Sequence, residues 1–379
     1  MPIKLPHTAS ACRGKSTPPV YNFSGGPGEL PAAVLAAAGQ AIIEVPEAGL
    51  SVLGISHRSD WFRAVVTEAV ANLRRLLNIP ANYHVLFLQG GSSLQFSMIP
   101  MNFLRHRERA ADYIVSGYWS AKSVTEARRE GQVNVAWDGA AQQYTRLPEP
   151  GELQLTQHAT YLHYISNETV EGLQFKYIPG PTDVPRICDM SSDFLAQPFD
   201  INQYALIYAH AQKNLGPSGV TVVILQDALL ADVPKDLPSM LDYRVHIAQS
   251  SIYNTPPVFS IYVVLLVTRW LLNEVGGLDA MQNINAQKAQ RLYECIDAGG
   301  GFYRCRAART DRSAMNAVFH LPTPELEQSF LQAAQTEGFY GLEGHRAVGG
   351  IRASLYNAVS LEAVAALCAF MENFRQRYG

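Results

Sequence analysis

Tyr208-Ala209-His210-Ala211-Gln212-Lys213-Asn214-Leu215-Gly216-Pro217-Ser218-Gly219 sets one lysine between two apolar runs. Ala205–Tyr208 precedes it and Val220–Leu225 follows, and both read as buried strands. A lysine held between buried strands has a depressed pKa, which an amine that condenses with a carbonyl needs. Gly216-Pro217-Ser218-Gly219 fixes an unusual turn beside it. Most lysines are simply solvated, so the stretch gains meaning only from what surrounds it.

Working outward, short apolar runs recur upstream at Val85-Leu86-Phe87-Leu88, Tyr113–Val115, Tyr161–Ile165 and Arg186–Cys188. Helical or turn-rich stretches separate them. Ser59–Leu77 reads as a helix, with Trp61, Phe62, Val65, Val66, Ala69, Val70, Leu73, Leu76 and Leu77 at helical spacing and Ser59 as its cap. Alternation of this kind predicts an α/β fold with mostly parallel strands. Downstream, Val258–Leu272 predicts a buried helix too interrupted to span a bilayer, ended by Gly276-Gly277. A different rhythm follows: helix over Met281–Ile296, strand over Asn316–Leu321, helix over Glu325–Gly338, strand near Ile351–Leu355, then a helix from Leu361. This predicts a large domain over 21–274 and a smaller α+β domain over 275–379. Residues 1–20 carry four prolines and no apolar core, which predicts a disordered tail rather than a secretory signal.

The bulk numbers agree with an enzyme of two domains. The chain has 379 residues, 47% of them hydrophobic, and a net charge of -3. A nucleic-acid binder would show a basic excess, so none is expected. The five cysteines show no CxxC spacing, which argues against a disulfide framework or a metal site and for a reducing, cytoplasmic setting.

Four further features fall in chain order. Gly90-Gly91-Ser92-Ser93 follows a strand and opens a helix that Ser92 can cap, an arrangement that favours a phosphate. A strand-to-helix turn uses Gly and Ser in any case. Trp119 follows the Tyr113–Val115 strand and is either a core indole or a wall for a flat ring. Asp189 ends the Arg186–Cys188 run, where a buried carboxylate needs a partner or caps a following helix. Lys213 comes last. Together they suit the phosphate, the ring face, the ring nitrogen and the aldehyde of pyridoxal 5′-phosphate.

On these residues the chain resembles the phosphoserine aminotransferases, of the class V aminotransferases. The resemblance runs from about Tyr21 to the C-terminus. It is carried by Ala211-Gln212-Lys213-Asn214, Tyr253-Asn254-Thr255-Pro256-Pro257, Ser56-His57-Arg58, Asn22-Phe23-Ser24-Gly25-Gly26-Pro27 and the Gly344–Ser354 stretch with His345, Arg346 and Arg352. It implies a fold-type I architecture, in which the N-terminal segment joins the small domain, and pyridoxal phosphate as a Schiff base on Lys213. It also implies that Asp189 pairs with the ring nitrogen and Trp119 stacks on the ring. Thr169 reaches the ring hydroxyl, and Ser92, Ser93 and Gln212 surround the phosphate. Asn254 and Thr255 reach the cofactor phosphate of a neighbouring subunit, so a homodimer with shared sites is expected.

The implied reaction exchanges an amino group between O-phospho-L-serine and 2-oxoglutarate in serine biosynthesis, and in some bacterial members acts on 4-phosphohydroxy-L-threonine for vitamin B6. One pocket must then hold carboxylates and a phosphate, which suits arginine forks. The resemblance implies Arg352 for the α-carboxylate and His57, Arg58, His345 and Arg346 for the distal anion. Two departures stand out. Ser93 occupies a place where some members have arginine, and Gly25 one where some have serine. Alternatives are a cysteine desulfurase-like enzyme, for which Cys305 or Cys368 would have to act as nucleophile, an alanine– or serine–glyoxylate aminotransferase, and a catalytically silent binding protein.

Overall fold

A computed structural model describes residues 19–379. The expected disordered tail over 1–20 therefore lies almost wholly outside the described residues. The chain opens with β1 (Tyr21–Asn22), then α1 (Ala32–Ile43) and α2 (Asp60–Leu77). Ser59 caps α2 through the Phe62 N–H, and Asn78 ends it in the left-handed conformation. β2 (Tyr83–Leu88), α3 (Gly91–Phe103), β3 (Ala111–Val115), α4 (Tyr118–Ala127) and β4 (Val133–Asp138) follow, each strand largely apolar. Next come β5 (Leu162–Ile165), the hairpin strands β6 (Asn167–Glu168) and β7 (Leu173–Gln174), β8 (Arg186–Asp189), β9 (Leu206–His210) and β10 (Thr221–Gln226).

Seven of these strands form one sheet in the order β2-β10-β9-β8-β5-β3-β4. Only β10 runs against its neighbours, so the other six point their C-terminal ends the same way. The expected parallel character holds, with that one reversal. Alternate residues feed two apolar layers. Val85, Ile114, Leu162, Ile207 and Val222 face one side, whereas Leu86, Tyr113, Ile165, Leu206 and Val223 face the other.

After the sheet come α5 (Tyr243–Ala248) and the apolar α6 (Val258–Trp270), which continues as a π-helical turn over Leu271–Val275. Ile261, Val263–Val267 and Leu271 are buried in the first layer against α2, as the sequence predicts for a core helix. Gly276, at φ 90°, ends the turn. α7 (Leu278–Ala298) starts in that layer through Leu278 and Met281, then supplies Ala289, Leu292 and Ile296 to a separate cluster. β11 (Asn316–Phe319), α8 (Pro324–Thr336), β12 (Phe339–Tyr340), β13 (Ile351–Ser354) and α9 (Leu361–Tyr378) build the rest of that second cluster. Phe23 is buried within it, and Tyr21 pairs in register with Phe339, so the start of the chain packs with its end.

Candidate active site

In an open α/β sheet the strand C-termini form the crevice where ligands bind. Here six strands deliver their loops to one such edge, and Asp189 sits at its centre, in register with Ile165 on one side and Tyr208 on the other. A cavity of about 210 Å³ opens there, lined by Gly90–Ser93, Trp119, Asp189, His210, Gln212 and Lys213 among others. Six of the sequence-predicted residues, Ser92, Ser93, Trp119, Asp189, Gln212 and Lys213, thus meet in one place.

The phosphate end is built differently from the sequence expectation. Gly90 and Gly91 both take left-handed φ values, 89° and 66°, so α3 begins at Gly91 and Gly90 is its cap residue. Ser92 is not the cap. It lies in the first turn, where its hydroxyl meets Ser191 Oγ at 2.7 Å. The two glycines turn the chain early and release both serine hydroxyls and the first backbone N–H groups toward the cavity. A Cβ on Gly91 would stand 3.1 Å from the His210 ring, so the glycine also keeps the cradle open.

Trp119 projects from the first turn of α4, and its indole N–H donates to Thr169 Oγ1 at 3.2 Å. This brings Thr169 to the site through the β6–β7 hairpin. Asp189 is buried and accepts from the Ser191 N–H at 2.8 Å. Burial pushes its carboxyl up, against the pull of the Ser191 hydrogen bonds and the Lys213 charge. The segment after β8 is a run of turns, so Asp189 caps no helix. Burial holds the Lys213 amine below the usual lysine range, opposed mainly by Asp189 and reinforced by the Arg352 charge. The cationic centre is thus shifted toward the neutral amine that acts as a nucleophile and base.

Arg352, on β13, has a buried Nε with no hydrogen-bond partner, and among the described residues no carboxylate pairs with it. His345 lies in the loop before β13. Its ring centre is 4.9 Å from that of Tyr118 and 6.4 Å from that of Trp119. Burial first, then the Arg352 and Arg346 charges, push its pKa down. Arg346 beside it is exposed. The remaining four candidates lie apart. His57 and Thr255 line a second groove of about 380 Å³, Asn254 adjoins it, and Arg58 is exposed. Gln89, next to the cradle's Gly90, donates from Nε2 to the Thr255 carbonyl of that groove at 2.9 Å.

Several residues escaped the sequence reading. Ser191 ties Ser92, Asp189 and the His210 N–H together. His210 is driven down to about 4 by burial and the Lys213 charge, so it stays neutral. Glu168 and Glu171 cap α4 from the hairpin: Ser120 N–H reaches Glu168 Oε1 at 3.1 Å and Tyr118 N–H reaches Glu171 Oε1 at 2.9 Å. The Glu168-Thr169-Val170-Glu171 spacing was visible, but nothing local said that both acids turn inward. Among the described residues no cluster of His, Cys, Asp or Glu could hold a metal.

These surroundings fit pyridoxal phosphate: a helix start with free N–H and hydroxyl donors, an indole wall, a buried acid and a depressed amine on one small cavity. The class V aminotransferase family model matches residues 20–367. The chain belongs to the class V aminotransferases. Within the family, this aminotransferase is 49% identical to the phosphoserine aminotransferase of Niallia circulans over 95% of its own length and 99% of the relative's. It is 50% identical to that of Geobacillus kaustophilus, covering 94% and 99%. The solved phosphoserine aminotransferase from Bacillus circulans subsp. alkalophilus superposes with a TM-score of 0.92 at 49% identity, over 95% of this chain and 99% of that one. The aminotransferase is therefore a phosphoserine aminotransferase family member of fold-type I, and its cofactor is pyridoxal phosphate.

Proposed function

We propose that the protein transfers the amino group of O-phospho-L-serine to 2-oxoglutarate, reversibly, yielding 3-phosphohydroxypyruvate and L-glutamate in serine biosynthesis. The observation that carries this is the convergence of Lys213, Asp189 and Trp119 on one cavity beside an Arg352 that no protein carboxylate neutralises.

When bound, pyridoxal phosphate supplies a conjugated ring that takes up the charge left on the substrate Cα. Ser92, Ser93, Gln212 and the α3 N-terminus would hold its phosphate. Asp189 would keep a proton on the ring nitrogen, Trp119 would cover the ring, and Thr169 would serve the ring hydroxyl. The Lys213 amine, whose pKa burial lowers, takes the proton from the substrate Cα and returns it. Arg352 grips the α-carboxylate in a fork. His345 and Arg346 hold the distal phosphate or carboxylate.

The place of His57, Arg58, Asn254 and Thr255 in and beside a groove apart from the cavity supports a homodimer in which they complete the site of a second protomer. Exposed Leu35, Ile42, Ile43, Leu50 and Leu53 on the same N-terminal stretch favour that assembly. A division into a large domain over 21–274 and a small one over 275–379 is supported by the separate cluster of α7, α8, α9 and β11–β13 that Phe23 joins, although Leu278, Met281 and Ala307 pack with the large domain. Free thiols at Cys188, Cys295, Cys305 and Cys368 fit a cytoplasmic setting. They do not fit a desulfurase: burial pushes Cys305 up to about 11, and the Cys368 thiol donates to the Arg291 carbonyl between helices.

Initial rates with varied phosphoserine and 2-oxoglutarate test the reading. Parallel double-reciprocal lines are expected for an enzyme that releases one product before binding the second substrate. Intersecting lines, or a preference for alanine and glyoxylate, would overturn it.

A further inference from the structure

A chain of buried amides joins the loops that carry the lysine and the acid to the strand that carries Arg352. Asn214 follows Lys213 directly. Its Oδ1 accepts from the Asn357 N–H at 2.9 Å, and its Nδ2 donates to the Ser192 carbonyl at 2.9 Å. Asn357 lies five residues past Arg352, and its Nδ2 donates to the Leu195 carbonyl at 2.9 Å. The Leu195 backbone is left-handed, at φ 58°, although its side chain is wholly buried. A non-glycine residue keeps that conformation only where its surroundings over-determine it.

Behind this bridge stands one face of α7. Asn285 Nδ2 donates to Asn357 Oδ1 at 2.9 Å and to the Ala196 carbonyl at 3.0 Å. One turn on, the Lys288 amine is fully buried and donates to the carbonyls of Leu355 and Tyr356 at 3.0 and 2.8 Å. All four side chains are at most 6% exposed. Buried amides are costly unless paired, which holds the bonds above to one geometry, although Asn285 Oδ1 is left without a partner. α7 is also the element that passes from one apolar cluster to the other.

We infer that Asn214 and Asn357, backed by Asn285 and Lys288, are positioning residues that make the Arg352 strand and the Lys213 loop one rigid unit. The carboxylate grip and the proton-transferring amine are then set in register by the Asn214–Asn357 bridge, not by either loop alone. A change at the bridge alters substrate affinity and turnover together, and acts through Arg352. This rests on the reading of Arg352 as the carboxylate-binding residue.

The test uses the holoenzyme and glutarate, a dicarboxylate with no amine to transfer. Affinity is measured by calorimetry for the wild type, Arg352→Lys, Asn214→Ala and the double variant, with kcat and KM for phosphoserine alongside. Asn214→Ala removes the Oδ1 that accepts from the Asn357 N–H, so it should weaken glutarate about ten-fold and lower kcat, and the double variant should lose clearly less than the product of the two single losses. Asn357→Ala keeps its backbone N–H on Asn214 and loses the side-chain bonds to Leu195 and Asn285, so it should fall between wild type and Asn214→Ala, and it serves if Asn214→Ala fails to fold. Single losses that simply multiply, or bridge variants within two-fold of wild type, overturn the inference while leaving Arg352 in place. An unchanged affinity in Arg352→Lys overturns the Arg352 assignment itself, and the inference with it.

Discussion

The guanidinium of Arg352 lies directly on the backbone of Gly25: a Cβ built on that glycine would stand 2.7 Å from Nε and nearer still to Cζ and Nη2. The Gly25 carbonyl also accepts from the Tyr356 hydroxyl at 2.8 Å, which fixes the backbone against retreat. A side chain here requires the Arg352 guanidinium to move, and no left-handed turn calls for the glycine.

A branched side chain at this position must therefore displace Arg352. Gly25→Val should raise KM for phosphoserine and for glutamate about ten-fold, while the cofactor stays bound to Lys213. Steady-state kinetics and borohydride reduction followed by peptide mass check both halves. An unchanged KM would show that Arg352 does not hold the substrate.

Asp189→Asn removes the largest charge that opposes the depression of the Lys213 pKa. Among the described residues it also removes the one acid that lines the cavity. kcat should fall about 100-fold or more, because the lost interaction is one that strengthens as charge enters the ring. The covalent attachment at Lys213 should survive, as reduction and mass measurement would show.

Much of this was legible in the chain. The apolar runs around Lys213 and Asp189 gave the sheet because buried parallel strands leave little choice of residue. Five of the six cavity residues were found because each carries chemistry just past a strand end, whereas Gln212 was implied only by the family resemblance. What escaped needed three dimensions. Ser92 was misread as a cap, because two left-handed glycines move the helix start by a residue and nothing in Gly90-Gly91-Ser92-Ser93 says which residue turns. Glu168 and Glu171 read as ordinary acids until the hairpin folded them against α4. Asn357 and Lys288 lie in unremarkable sequence, and their partners come from 67 to 162 residues away.

Those two acids give a pH prediction. Burial, and then the Glu168 carboxylate, push Glu171 from 4.5 up to about 8. Between those values the folded state binds more protons than the unfolded one, so stability falls as pH rises through the window and levels off above it. Glu171→Gln should flatten that slope, so that its Tm relative to wild type improves from pH 5 to pH 9. Parallel Tm profiles for the two proteins would contradict this.

The proposed sharing of sites between protomers makes a mixing experiment decisive for the dimer. Lys213→Ala and Arg58→Ala should each be nearly inactive. Unfolded together and refolded, they should regain about a quarter of wild-type activity, since half the dimers are hybrids with one intact site each. No recovery would place His57 and Arg58 outside the partner's site.

The visible spectrum of the purified holoenzyme, recorded before and after O-phospho-L-serine is added without 2-oxoglutarate, tests the central claim most directly. The account predicts that the band of the Lys213-bound cofactor converts to that of the amino form, one equivalent per site, and returns when 2-oxoglutarate is supplied. A band that ignores phosphoserine and yields to alanine or cysteine would contradict the account.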